Sequence, residues 1–398
     1  MPAVERGLRH AMVDRLITVG CVRGTAVEQA FRTVPRHLFV PGVAPTAAYT
    51  DEPIVTGYDA DGAACNASSQ PSTTAATLEQ LAVAPGDRVL EIGTGTGYDA
   101  ALLAELAGPD GAVTTVEIDP VTAGRARTHL AAAGYQGVEV LTGDGWSGVP
   151  ERGPFHRVLA TVGVWDVSPR WFGQLEPFGM VVMPLWLRAG LQVSVALRWD
   201  LDRFTSTSVL PCGLMRLRGQ GAGPEAYVTV GGRSVCLEDT GRDAVAHLDR
   251  VLAERTSVVP LGRSLRPGWF TALALAAPDA IQMAWLDPVR GYITASGVFD
   301  PYRGGLALVV PGRGAAELHA HGDPGAAERL RMLLDRLPPV RVSDLRIDVV
   351  PAPMSGPVRG DLLALLRRPN ATVVVRRRSG WTGGPAGHPT RAVPEVGA

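Results

Sequence analysis

The sequence predicts an α/β fold: a doubly wound, mostly parallel sheet with an additional C-terminal α+β domain. Three observations point there. Arg88 to Leu106, RVLEIGTGTGYDAALLAEL, reads as strand, glycine turn and helix. Ala112 to Ile118 is a β-rich run that ends on an acid, Glu117. Val138 to Leu141 and Arg157 to Thr161 are further short apolar strands, the first running into Gly143-Asp144-Gly145. Strands that alternate with helices in this way build a parallel sheet covered on both faces.

The bulk properties bound the answer. With 398 residues, 46% hydrophobic and 19% charged, the chain is globular and longer than one average domain. A net charge of -1 argues against duplex nucleic acid as a general partner. Cys21, Cys65, Cys212 and Cys236 are scattered without Cys-x-x-Cys spacing, so neither a metal site nor a disulfide framework is expected. The N-terminus lacks a secretory pattern, and no run approaches the roughly 18 apolar residues of a membrane span. The expectation is a cytoplasmic protein with no membrane partner; the sequence assigns no oligomeric state.

Taken in order, Leu8, Met12, Leu16 and Val19 recur at helical spacing, which predicts an amphipathic helix over residues 6–20. Thr25 with Glu28 three residues on reads as a capping box for a second helix that stops before Pro35. After Ser68-Ser69-Gln70-Pro71-Ser72, Thr73 to Leu81 opens a third.

The glycine turn comes next. Gly93, Gly95 and Gly97 let the backbone turn sharply and approach a ligand closely. Glu117 lies about 20 residues beyond, where this sheet type sets an acid against ribose hydroxyls. With Asp144 and Gly145 at the same rim, these residues outline a nucleoside pocket. A dinucleotide turn needs a third small residue; counted from Gly93 that place is Tyr98, and counted from Gly95 it is Ala100, so a dinucleotide stays open. There is no phosphate-loop lysine, and indeed no lysine at all. Glu91, just before the turn, suits a cationic ligand. Thr161 to Trp165 follow the fourth strand, and Trp165 and Trp171 are candidates either for a groove wall or for the core.

The arrangement resembles a class I S-adenosylmethionine-dependent methyltransferase. Val34 to Pro41, VPRHLFVP, then Tyr49 to Ile54, YTDEPI, then Ser69-Gln70-Pro71, narrow the resemblance to the protein-L-isoaspartate O-methyltransferases over about residues 8–185. The resemblance implies S-adenosylmethionine as cofactor, with Glu91, Gly93, Thr94, Gly95, Gly97, Glu117, Ile118, Asp144, Gly145 and Thr161 around it. It implies a peptide or protein substrate bearing Asp or isoAsp. Ser69 and Asp51 are the expected catalytic residues, and Ser68, Gln70, Ser72, Val162 and Trp165 face the substrate. Two stretches depart from the family pattern: Ser72-Thr73-Thr74, where bulkier residues are usual, and the turn Leu175 to Gly179.

The expected division is residues 1–80 as a substrate-proximal segment, 81–218 as the cofactor-binding core, 219–224 as a linker, 225–378 as a docking domain and 379–398 as a disordered tail. In the second half, helices are expected at Asp243–Arg255, Gly325–Leu337 and Asp361–Leu366. Strands are expected at Leu191–Leu197, Thr205–Leu210, Gln282–Leu286, Tyr292–Ser296, Gly305–Val310, Arg341–Val350 and Ala371–Arg377. His319 and His321 share a strand face without a third ligand, and Arg376 to Arg378 form a basic edge. Because repair of damaged chains needs no large docking surface, the extension suggests a dedicated peptide. The expected activity is methylation of an Asp side chain that then closes to an aspartimide; isoaspartyl repair is the alternative.

Overall fold

A computed structural model describes residues 3–59, 62, 64–200, 203–238, 242–312, 314–354 and 361–378. The expected tail lies outside the described residues. The chain opens with helices α1 (Ala3–Thr18), α2 (Thr25–Thr33) and α3 (Pro45–Ala48), hairpin β1 (Ile54–Tyr58) and β2 (Ala64–Ser68), and α4 (Pro71–Leu81). Thr25 is the first residue of α2, not its cap. The amides of Arg23 and Gly24 both donate to Glu79 Oε1 of α4 at 2.7 Å, so a distant carboxylate replaces the capping box. Glu28 instead pairs with Arg32 one turn on.

The core then alternates as expected: β3 (Arg88–Ile92), α5 (Tyr98–Ala107), β4 (Ala112–Glu117), α6 (Pro120–Ala133), β5 (Glu139–Thr142) and β6 (Phe155–Ala160). A short α7 (Pro169–Phe172) precedes three long strands, β7 (Leu175–Trp186), β8 (Gln192–Asp200) and β9 (Arg203–Pro211). Strands β5, β4, β3, β6 and β7 are parallel neighbours; β8 and β9 extend the sheet antiparallel. Successive side chains face opposite sides. Leu90, Val158 and Met183 point into one core, and Val89, Leu159 and Val182 into the other with α1, α2, α4 and α5.

Beyond residue 225 lie β10 (Ala226–Val230), β11 (Arg233–Leu237), α8 (Arg242–Ala253), β12 (Ser257–Pro260), α9 (Trp269–Ala276), β13 (Ala280–Asp287), β14 (Gly291–Asp300), β15 (Gly305–Val310), β16 (Glu317–Gly322) and α10 (Gly325–Arg336). Their strands form a second, antiparallel sheet in the order β10-β11-β13-β14-β15-β16-β12. In β16, His319 pairs with Glu317 and His321 with Thr256.

The last strands, β17 (Leu345–Pro351), β18 (Leu362–Arg367) and β19 (Ala371–Arg377), return to the first sheet and complete its order as β18-β19-β17-β9-β8-β7-β6-β3-β4-β5. Strand pairing therefore divides the stretch expected to be one domain at 225–378. Leu345, Ile347, Val373 and Val375 join the same core as Leu90 and Val158, and α9 adds Ala272 and Leu275. Among the described α-helices of the first half, only the four-residue α7 packs on that face, so later elements complete its cover. Asp361–Leu366, read as a helix, pairs as a strand with β19: an apolar run of that length has no decisive period, and the neighbouring strand decides. The basic strand is not an edge. It lies between β17 and β18, and Arg376 pairs with buried Asp348.

Gly297 of β14 faces β15, where an added Cβ would fall 1.8 Å from the carbonyl oxygen of Ala307. A backbone contact cannot swing aside, so Gly297→Ala should destabilise the chain by at least about 2 kcal/mol, read as a lowered urea midpoint.

Candidate active site

The site lies at the carboxyl ends of β3, β4, β5 and β6. Glu91, next to last in β3, is fully buried; Thr115 Oγ1 donates to its Oε2 at 2.6 Å, while Oε1 has no partner among the described residues. Burial, reinforced by the charge of Asp99, pushes the Glu91 carboxyl well above the usual range. Thr94 Oγ1 closes the chain by pairing with Thr115 Oγ1 at 2.7 Å.

Gly93, Gly95 and Gly97 all hold positive φ, and at Gly93 a Cβ would stand 2.7 Å from Thr161 Oγ1 and 3.0 Å from Val162. Thr161 Oγ1 in turn donates to Gly93 O at 2.5 Å, so β6 locks the shape of the turn. Glu117, 5% exposed, accepts the amides of Gly95 at 3.0 Å and Asp119 at 3.1 Å. Ile118 follows it, half-buried. Asp144 caps the next turn through the amide of Trp146, and buried Gly145 accepts the indole N–H of Trp171. Trp171 is thus core and a prop for the rim, not a groove wall.

Ser68, Ser69 and Gln70, expected to lie near the substrate, reach this rim through β2. Gly95 lies under it, with Asn66 Oδ1 3.3 Å and Ala67 O 3.4 Å from where a Cβ would be. Ser68 follows, its buried hydroxyl without a partner among the described residues, then Ser69, then Gln70 at the start of α4. Asp51 accepts the amide of Ser72 at 2.8 Å and so fixes the first turn of α4. Trp165 stands apart from this group. It lies under the guanidinium of Arg368, 4.1 Å from its ring, and against Gly223, at the seam with the second sheet. The departing turn Leu175–Gly179 is at the amino end of β7, the opposite rim, and does not touch the site.

Sequence reading gave no role to Arg36. Its guanidinium is fully buried, and it donates to Ala48 O at 2.7 Å, Thr50 O at 3.4 Å, Glu52 O at 3.2 Å and Ser69 O at 2.9 Å. It pins the stretches carrying Asp51 and Ser69 to one point. Its place in the motif VPRHLFVP, between Pro35 and an apolar run, was the local signal.

Two outcomes follow. Arg36→Met leaves those carbonyls without their donor and should cost about 3–5 kcal/mol in denaturant unfolding. Asp99, beside Arg36 and Thr74, is pushed by burial from 3.8 to about 6. The folded chain keeps a proton there that the unfolded chain has released, so this contribution to stability is full below about pH 4 and fades as the pH rises through about 6. Asp99→Asn should flatten that part of the melting-temperature profile.

The profile of the family "Protein-L-isoaspartate(D-aspartate) O-methyltransferase (PCMT)" matches residues 7–210. A protein-L-isoaspartate O-methyltransferase of Methanopyrus kandleri is 42% identical over 183 residues, covering 46% of this chain and 78% of that protein. One of Ignicoccus hospitalis is 35% identical over 209 residues, covering 52% and 96%. The fold is also that of a solved protein-L-isoaspartate O-methyltransferase, with a TM-score of 0.51 at 22% identity, covering 85% of this chain and 96% of that one. The chain belongs to the protein-L-isoaspartate O-methyltransferase family and is an S-adenosylmethionine-dependent protein carboxyl O-methyltransferase.

Proposed function

We propose that the chain methylates the side-chain carboxylate of an aspartyl residue in a ribosomally made peptide, and that the ester then closes to an aspartimide. The site residues fit the cofactor. The unpartnered, buried Oε1 of Glu91 regains its ionised form beside a cation, and acids on both sides of the glycine turn would repel a pyrophosphate. Glu117 would hold the ribose hydroxyls, Asp144 and Gly145 the nucleoside rim, and Glu91 the methionine end. When bound, S-adenosylmethionine supplies an electrophilic methyl group on a sulfonium.

The remaining work falls to the chain. An aspartyl carboxylate is already ionised at pH 7, so no strong general base is needed. It must be stripped of water and aimed. Ser69, held through its own carbonyl by Arg36, would grip one oxygen, with Ser68, Gln70 and the start of α4 around it. Asp51 acts by fixing that helix start, as its bond to the Ser72 amide supports. In the ester, the following backbone nitrogen attacks the carbonyl carbon; the new C–N bond forms, the C–OCH3 bond breaks, and the nitrogen's proton leaves with the methoxide as methanol.

One observation carries the choice of a dedicated peptide. The second sheet meets the first through Tyr227 of β10 on Trp186 at the end of β7, with ring centroids 6.0 Å apart, and Trp186 in turn packs on Gly163, the neighbour of Val162, where a Cβ would fall 2.3 Å from its Nε1. That would set a large surface beside Val162, one of the residues expected to face the substrate. The second reading, isoaspartyl repair, draws on the names of the curated relatives and on the solved relative whose likeness extends past the family-matched stretch.

The test is paired kinetics. With S-adenosylmethionine, a precursor peptide containing Asp should gain a methyl group and then show a net loss of water by mass spectrometry. A generic isoaspartyl peptide should turn over at least about a hundredfold less efficiently. Efficient turnover of the isoaspartyl peptide alone would establish repair instead.

A further inference from the structure

The linker expected between the two halves is not a free tether. Arg218 reaches back to Glu117, with Nη2 3.5 Å from Oε1. The amide of Gln220 donates to Asp144 Oδ2 at 2.7 Å. Two glycines let the backbone lie flush. A Cβ on Gly219, which has φ of 83°, would fall 2.4 Å from Asp144 Oδ2, and one on Gly221 2.2 Å from Trp146 Cε3. The segment therefore engages both acids assigned above to the nucleoside.

Part of the accepting capacity of those acids is already used. Glu117 Oε2 accepts Gly95 and Oε1 accepts Asp119, both backbone amides fixed by their elements. Asp144 Oδ1 accepts Trp146. Among these donors only the Arg218 guanidinium, 43% exposed, is on a long free-swinging side chain. A ribose diol brings two O–H donors and must meet a carboxylate at hydrogen-bond distance. Arg218 is the donor that can yield.

We propose that residues 218–222 form a strap across the nucleoside end of the cofactor site, in which Arg218 holds Glu117 until the ribose hydroxyls displace it. Arg218 is then a positioning residue, one that acts on the cofactor through Glu117. The proposal rests on the assignment of Glu117 and Asp144 to the nucleoside. Because the strap leads within a few residues into β10, loading of the cofactor is mechanically tied to the second sheet.

The test uses the full chain, calorimetry with S-adenosylhomocysteine, and hydrogen exchange at the Gln220 amide. Removing a partly exposed competing ion pair should make Arg218→Met bind about two- to fivefold tighter than the parent. Parent affinity should rise with salt as the pair is screened, and that of Arg218→Met should not. Protection of the Gln220 amide should fall on loading. Gly221→Ala, which pushes the strap off Trp146, should shift affinity the same way without changing charge. Weaker binding by Arg218→Met, or stronger Gln220 protection on loading, overturns the proposal. Glu117→Gln separates the two layers. If it binds like the parent, the assignment of Glu117 to the ribose fails. If it loses about tenfold or more while Arg218→Met is unchanged, only the strap fails.

Discussion

Most of the side proposed to face the substrate hangs on a single buried cation. Taking a guanidinium out of water is costly, and it is tolerated only where its donors meet acceptors in fitting geometry. Around Arg36 those acceptors are backbone carbonyls of Ala48, Thr50, Glu52 and Ser69, from stretches otherwise free to drift. Backbone acceptors carry no side-chain signature, so the residues around them can vary while the position of Ser69 stays fixed. The face of Tyr98, 5.9 Å away, adds a cation–π contact and links this anchor to the start of α5 and thus to the glycine turn.

The acids of the site are arranged in the opposite sense. Glu91 is buried with one oxygen unpartnered, and Asp99 is raised by burial despite its bond to Thr74 and the nearby Arg36. Such a cluster is strained toward protonation unless a positive charge arrives. That imbalance suits a donor whose methyl sits on a sulfonium better than any anionic ligand. Glu117 is treated differently: two backbone amides hold its carboxylate in place, as suits a group whose task is to accept hydrogen bonds.

The strand–turn–helix at Arg88–Leu106, the acid at Glu117 and the Asp144 loop were legible because each is a local pattern with a local cause. The α9 helix, WFTALALA, was missed because it is apolar all round and has no amphipathic period. The β-structure of 361–366 and the return of the chain to the first sheet were missed for another reason. The return depends on pairing between residues far apart in sequence, such as Val349 with Phe204, which no window of neighbours records, and the short apolar run takes its form from its hairpin partner β19. Arg36 and Arg218 escaped likewise, since their partners lie at the far ends of loops.

The re-entry of β17, β19 and β18 beside β9 also sets a schedule for synthesis. The catalytic sheet begins early in translation, yet three of its ten strands emerge only after the whole intervening unit has been made. Until then β9 carries an open edge and the face around Leu90 and Val158 lacks its cover. The nascent enzyme must therefore wait, with an unfinished half protruding from the ribosome, for residues 345–377 to close it.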